Sequence, residues 1–268
     1  MDPISDAVGD GLTKIVEGLK RAWRLEVDVA VEITEEPFVL GRTVRERDGY
    51  RIYISEAEPY PLLHEFYHVL FEEKVMKRHI GSPCDFCSKI VLEMTNLLVD
   101  LGIERIICRT DPEIFPSYFP TARENLDRIA RCGVLSFDPT RTVAYNLYLE
   151  TAMRELYPEL RREYDFWERI VLSDRLRAGV EAALATAVEF VRERPSAWRE
   201  ISAAAVDLSW PIFGADVMIL ESKEEFRIVC TTDHDEARGK VSEMIDCLKA
   251  LSRSWPPRDR PDGEVVKG

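Results

Sequence analysis

Leu62-Leu63-His64-Glu65-Phe66-Tyr67-His68-Val69-Leu70 is the stretch on which the reading of this chain turns. Apolar residues recur at helical spacing around an H-E-x-x-H pattern. On a helix, residues four apart stand one above the other, so His64 and His68 present two imidazoles from one face. Two nitrogens so placed can reach a single Zn²⁺, while Glu65, one residue on, stands beside the site as a base without ligating the metal. The chain holds 4 histidines, and two of them fall in this pentapeptide. Leu62, Leu63, Phe66, Tyr67, Val69, Leu70, Phe71, Val75 and Met76 make a helix of about 61–78 apolar on most sides, which places it in a core. Two histidines and a glutamate buried there require partners, and a metal ion would satisfy all three.

Upstream, Ile4, Val8, Leu12, Ile15, Leu19 and Trp23 recur at helical spacing and predict an amphipathic helix over about 4–24. Leu25, Val27, Val29, Val31 and Ile33 then alternate with Glu26, Asp28, Ala30 and Glu32, the pattern of a half-buried strand. Two further strands, about 38–47 and 50–55, flank the turn signal Asp48-Gly49. A helix and a small antiparallel sheet are therefore expected before the motif. Glu58-Pro59-Tyr60-Pro61 ends the sheet and suits a helix entry.

Downstream, His79-Ile80-Gly81-Ser82-Pro83 is a break, followed by an apolar helix of about 86–108. Glu93, Asn96, Asp100 and Glu104 form one polar stripe along it. A solvent-facing stripe would read the same way. This one, however, has no lysine or arginine to make i,i+4 pairs, and aligned acidic groups favour a cation opposite them. If the two helices pair as an antiparallel hairpin, equal rise per residue from the turn brings the level of His64 and His68 to about 96–101. Asp100 is then the expected third ligand, with Glu93 and Glu104 as alternatives, and Asn96 is placed to hydrogen-bond a ligand from one turn away.

His64-Glu65-Phe66-Tyr67-His68 resembles the motif of the zincin metallopeptidases, and the order helix, small sheet, motif helix, acidic helix resembles their minimal catalytic unit over about residues 4–108. The pattern is not that of a metzincin, which would need Gly at Phe71 and His at Lys74. Nor is it that of a standard gluzincin, whose second helix carries E-x-x-x-D. Asn96-x-x-x-Asp100 is closer to the N-x-x-x-D pattern of predicted cytosolic metallopeptidase-like families. The resemblance implies Zn²⁺ held by three protein ligands with a fourth position open, Glu65 as general base, and a peptide or protein substrate. It also implies a substrate laid along the sheet's edge strand, for which about 50–55 is the candidate. An oxyanion stabiliser is needed too, and Tyr145, Tyr148, His79 and His234 are the candidates. The alternative is a non-catalytic zinc-binding or regulatory protein on the same scaffold. A helical interaction protein with a chance motif is a third reading.

Cys84-x-x-Cys87 lies in the loop between the two helices. With Cys108 and Cys132 it would make a second, structural zinc site; a disulfide or plain buried thiols are the alternatives. Residues 109–120 read as a proline-rich connection, and Thr121-x-x-Glu124 as a capping box opening a helix. Helices are expected over 121–132, 140–170, 173–194 and near 197–205. A strand pair is expected around Ser222-Lys223-Glu224, then a last helix to about 253 capped by Asp233-x-x-Glu236, with His234 as a surface residue of its first turn. The expected organisation is a zincin-like metal-binding unit at 1–110, a mainly helical region at 111–253 and a disordered tail at 254–268, in an α+β, mostly α fold.

Composition agrees with a soluble globular chain, 46% hydrophobic and 32% charged over 268 residues. A net charge of −13 speaks against nucleic acid or anionic membrane as partners, since both need a basic surface. No apolar run is long enough to span a bilayer. The opening MDPISDAVGDGL has no signal-peptide core, so a cytoplasmic location is expected. Arginine outnumbers lysine and amides are few, a composition compatible with a thermophile.

Overall fold

A computed structural model describes residues 3–34, 40–55, 58–82, 84–194, 197–231 and 234–255, with side chains from Gly11 onward. The elements in chain order are α1 (Pro3–Trp23), β1 (Asp28–Ile33), β2 (Gly41–Arg45), β3 (Gly49–Ile54), α2 (Pro59–Lys74), β4 (Arg78–His79), α3 (Asp85–Thr110), α4 (Ile114–Arg131), α5 (Pro139–Glu155), α6 (Phe166–Arg169), α7 (Asp174–Glu193), α8 (Trp198–Phe213), β5 (Val217–Glu221), β6 (Glu225–Cys230) and α9 (Asp235–Ser254). Among the described residues the fold is α+β and mostly α, 67% helical with two small sheets.

The sheet before the motif helix is mixed rather than antiparallel. Its order is β1-β3-β2, with β1 parallel and β2 antiparallel to β3. Burial explains the order. β3 carries Tyr50, Ile52 and Ile54, all buried, and takes the centre. β1 offers only half-buried Val29 and Val31 and lies at an edge, with Ile33 43% exposed. The hairpin expected at Asp48-Gly49 joins β2 to β3. The candidate edge strand is thus corrected: β3 is paired on both sides, and β2 is the edge that lies against α2.

Helix α2 opens on Pro59 and Pro61 within its first turn, where a missing N–H costs nothing. Helix α3 is apolar on most sides because it is the central helix, packed by α2, α4, α5, α7, α8 and β6. It crosses α2 closely at Gly102, where an added Cβ would meet the Phe71 ring at 3.0 Å. Tyr60 on α2 reaches Glu104, and His68 reaches Asp100 further back along α3, so the two helices run in opposed directions.

Two expectations for the later chain are corrected. The proline-rich stretch 114–120 is helical: Pro116 falls in the first turn of α4, and burial of Phe115, Tyr118 and Phe119 holds the helix through Pro120. Thr121 therefore lies inside α4 and caps nothing. The helix expected over 140–170 ends at Glu155, after which Tyr157, a short 3-10 turn and α6 follow. Helix α8 extends to Phe213, and β5 pairs antiparallel with β6 around Ser222-Lys223-Glu224 as expected. The second sheet is completed by β4, giving the order β4-β6-β5, so the α2–α3 connection is stitched to the far end of the chain. The hydrophobic core runs without interruption from Leu12 to Leu251. Asp233 and most of the expected tail lie outside the described residues. Trp255, at the tail's start, packs on Phe166 and donates its indole N–H to Asp127 at 3.2 Å.

Candidate metal centre

Helical spacing puts His64 and His68 on the face of α2 that meets α3, and Asp100 rises from α3 between them. Asp100 Oδ1 lies 2.9 Å from His68 Nε2 and 3.5 Å from His64 Nε2. Two imidazole nitrogens and one carboxylate oxygen thus converge within 4.8 Å. Zinc bonds of about 2.0–2.2 Å to nitrogen and oxygen require ligand atoms roughly 3.3 Å apart in a tetrahedron, so the donor set fits that ion in chemistry and spacing. Glu93 and Glu104 stand outside the cluster. Glu93 is half-buried toward Asp138 and Arg141, and burial raises its pKa. Asn96 is exposed and makes no hydrogen bond to Asp100.

Glu104 holds a different post. It is fully buried and accepts from three phenols: Tyr60 and Tyr148 donate to Oε2 at 2.8 and 2.9 Å, and Tyr157 donates to Oε1 at 2.7 Å. Burial, and then the Glu104 charge, push the Tyr60, Tyr148 and Tyr157 hydroxyls up, which keeps them donors. Oε2 also lies 3.7 Å from His64 Nδ1, and the Tyr60 oxygen lies 3.4 Å from the same nitrogen. Both oxygens favour a proton on Nδ1. That leaves Nε2, which faces Asp100, with its lone pair free for a metal.

The electrostatics ask for a cation. Burial disfavours charge on His64, but hydrogen bonds to Asp100 and Glu104 and the charges of Asp100 and Glu65 outweigh it and hold its pKa at about 10. Burial raises Asp100, but hydrogen bonds from His64 and His68 pull it down to about 2. In the metal-free chain a proton on His64 therefore stands where the ion's positive charge would be.

Glu65 turns from the two histidines toward β2. Thr43 Oγ1 donates to its carboxylate at 2.9 Å and touches its backbone carbonyl at the same distance. The carboxylate lies against Gly41, where an added Cβ would sit 2.6 Å from Oε1. Only glycine allows the edge strand this close to the acidic side chain.

Of the four candidates for stabilising an oxyanion, Tyr148 is engaged by Glu104 and Tyr60. His79 contacts Ser82, and His234 lies beside Cys84 and Cys87, so both belong to the other end of α3. Tyr145 remains. It neighbours Tyr148, with ring centroids 6.1 Å apart, and burial and then the Asp100 charge raise its pKa, so its hydroxyl stays protonated.

The cysteine grouping also differs from expectation. Cys108 lies far along α3 with its thiol toward the Leu156 carbonyl, and Cys132 is exposed after α4. The partners that Cys84 and Cys87 meet are Cys230 and His234, and His234 is half-buried among them rather than on the surface. Sequence reasoning missed Tyr60, Tyr157, Thr43, Gly41 and Cys230. Tyr60 alone carried a local signal, being one helical turn before His64 on the same face.

Among the described residues no helix is long and apolar enough to cross a membrane. Compared with protein-family models, curated proteins and solved structures, the chain finds no match.

Proposed function

We propose that the chain is a zinc-dependent hydrolase of the zincin type, cleaving peptide bonds. The observation that carries this reading is the convergence of His64, His68 and Asp100, with Glu65 one residue from the first ligand and held by the edge strand. Three protein ligands leave a position open, as in catalytic rather than structural sites. Zinc held there would supply Lewis-acid polarisation of a carbonyl and of water.

The protein's own groups supply the rest. Glu65, oriented by Thr43, takes a proton from the attacking water and returns it to the leaving nitrogen as the C–N bond breaks. Tyr145, kept protonated, donates to the carbonyl oxygen as negative charge develops there. Among the described residues no further strand follows β2 in its sheet, so an extended peptide would add along that edge, beside Glu65. The Glu104 carboxylate and its tyrosines fix the His64 ring rather than touch substrate.

A non-catalytic reading, with zinc as a clamp between α2 and α3, draws on the burial of Glu65, which is only 8% exposed. One experiment separates the two. With a quenched fluorescent peptide library as substrate, Glu65→Gln is expected to keep zinc and lose hydrolysis by about 10²–10⁴-fold, the usual worth of a general base. Zinc-loaded wild type that cleaves no peptide, or Glu65→Gln with undiminished cleavage, would overturn the catalytic reading.

A further inference from the structure

At the other end of α3, four groups from two distant parts of the chain converge. Cys84 precedes the helix and Cys87 lies in its first turn; Cys230 ends β6; His234 stands at the entrance to α9. Their ligand atoms all lie within 4.8 Å of one another. His234 Nδ1 is 3.3 Å from Cys87 Sγ and 3.8 Å from Cys84 Sγ. Bonds of about 2.3 Å to sulfur and 2.0–2.1 Å to nitrogen place sulfur and nitrogen roughly 3.5 Å apart in a tetrahedron, so the cluster already has the spacing of a zinc shell. No disulfide competes for the thiols among the described residues.

We propose that Cys84, Cys87, Cys230 and His234 bind a zinc ion in a closed, structural site, separate from the histidine–aspartate cluster. Four protein ligands leave no position for water or substrate, which is the mark of a structural rather than a catalytic centre. The helix terminus suits a thiolate at Cys84. The Cys87 backbone N–H donates to Cys84 Sγ at 3.3 Å, and the pair caps the positive end of a long helix. The frame is built from both sides. β4 pairs with β6, the Ile228 N–H donates to Ser82 Oγ at 3.1 Å, and Ile80 N–H donates to the Phe226 carbonyl at 3.0 Å. The ion ties the connection between α2 and α3 to the β6–α9 corner, and so anchors the first turn of the helix that carries Asp100.

The proposal does not rest on the hydrolase reading, and the test keeps the two apart. Full-length protein is purified with zinc, weighed by native mass spectrometry and, in parallel, loaded with cobalt(II) for absorption spectroscopy. The expected wild type holds two zinc ions and shows a thiolate-to-cobalt charge-transfer band. His64→Ala is expected to fall to one zinc and keep the band; Cys230→Ser is expected to fall to one zinc and lose it. If Cys230→Ser does not fold, the wild-type and His64→Ala spectra decide. One zinc with the thiolate band in wild type supports this site and removes the other. Absence of the thiolate band in wild type, or a non-reduced mass lighter by two hydrogens with the bond mapped by peptide digestion to Cys84–Cys87, overturns it.

Discussion

Replacing Glu104 by Gln tests the idea that this buried carboxylate is a brace rather than a ligand. The change keeps the side chain's shape and removes its charge. Three phenols donate to the carboxylate, at 2.7, 2.8 and 2.9 Å, in a site with no water-exposed surface. Hydrogen bonds to a charged acceptor are worth about 1.5–3 kcal/mol each, and neutral ones about 0.5–1.5 kcal/mol. Losing charge assistance at all three costs roughly 3 kcal/mol. One amide nitrogen also replaces an acceptor, so one tyrosine must turn its hydroxyl and accept. For a chain of this size each kcal/mol moves the melting temperature by about 2 °C, so a fall of about 6 °C is expected in scanning calorimetry. The second effect is on metal. Glu104 and Tyr60 hold the His64 ring through Nδ1, and loss of such a partner typically costs about 10–100-fold in affinity. Competition with a fluorescent zinc chelator would read that loss. Tyr157→Phe supplies the contrast, because Tyr157 binds the oxygen turned away from His64: stability should fall by about 1–3 kcal/mol with zinc affinity unchanged. A Glu104→Gln protein with unaltered melting temperature and zinc affinity would refute the brace.

Other outcomes follow from the same geometry. Gly41→Ala puts a methyl group 2.6 Å from Glu65 Oε1, so the carboxylate must swing away from Thr43. Stability should fall by about 1 kcal/mol and hydrolysis by about 10²-fold, while zinc content measured by atomic emission stays the same. Asp100→Ala should lose the zinc of this centre and Glu93→Ala should keep it; the reverse result would move the third ligand to Glu93. With its folded pKa raised from 6.5 to about 10, His64 contributes stability that is full below about pH 6.5 and lost as pH rises through 10, so chelator-treated protein should melt lower at about pH 9.5 than at pH 7. Zinc must displace that proton, and calorimetry near pH 8 in two buffers of different ionisation heat should find about one proton released from His64 for each ion bound at this centre. No release would contradict the charge state derived for it.

How legible all this was depended on range along the chain. His64, Glu65 and His68 announce themselves because helical periodicity is local, and Asp100 could be placed by counting rise along two helices joined by a short connection. Glu104 was visible only as one more acidic residue of a stripe; that it serves the site through tyrosines on α2, α5 and the segment after α5 depends on contacts across the core. The fold class was legible, but the parallel pairing of β1 with β3 was not, because alternation gives the face of a strand and not its neighbour. Pro116 and Pro120 suggested a loop where buried aromatics sustain a helix. Cys84 and Cys87 were recognisable as half of something. Their partners Cys230 and His234 could not be picked out, because nothing in their own surroundings distinguishes them until β4 joins β6.

Helix α3 holds ligand candidates at both ends of one rigid segment, Cys87 in its first turn and Asp100 well inside it. The intervening turns act as a spacer of about 20 Å at 1.5 Å per residue. One residue inserted there would rotate Asp100 by about 100° away from His64 and His68 while Cys87 stayed in place. This segment should therefore reject any change of length, even one made of alanine, whereas its exposed positions Lys89 and Asn96 should accept changes of side chain. The constraint is one of phase rather than of chemistry, and a scan of single-residue insertions along α3 would map it.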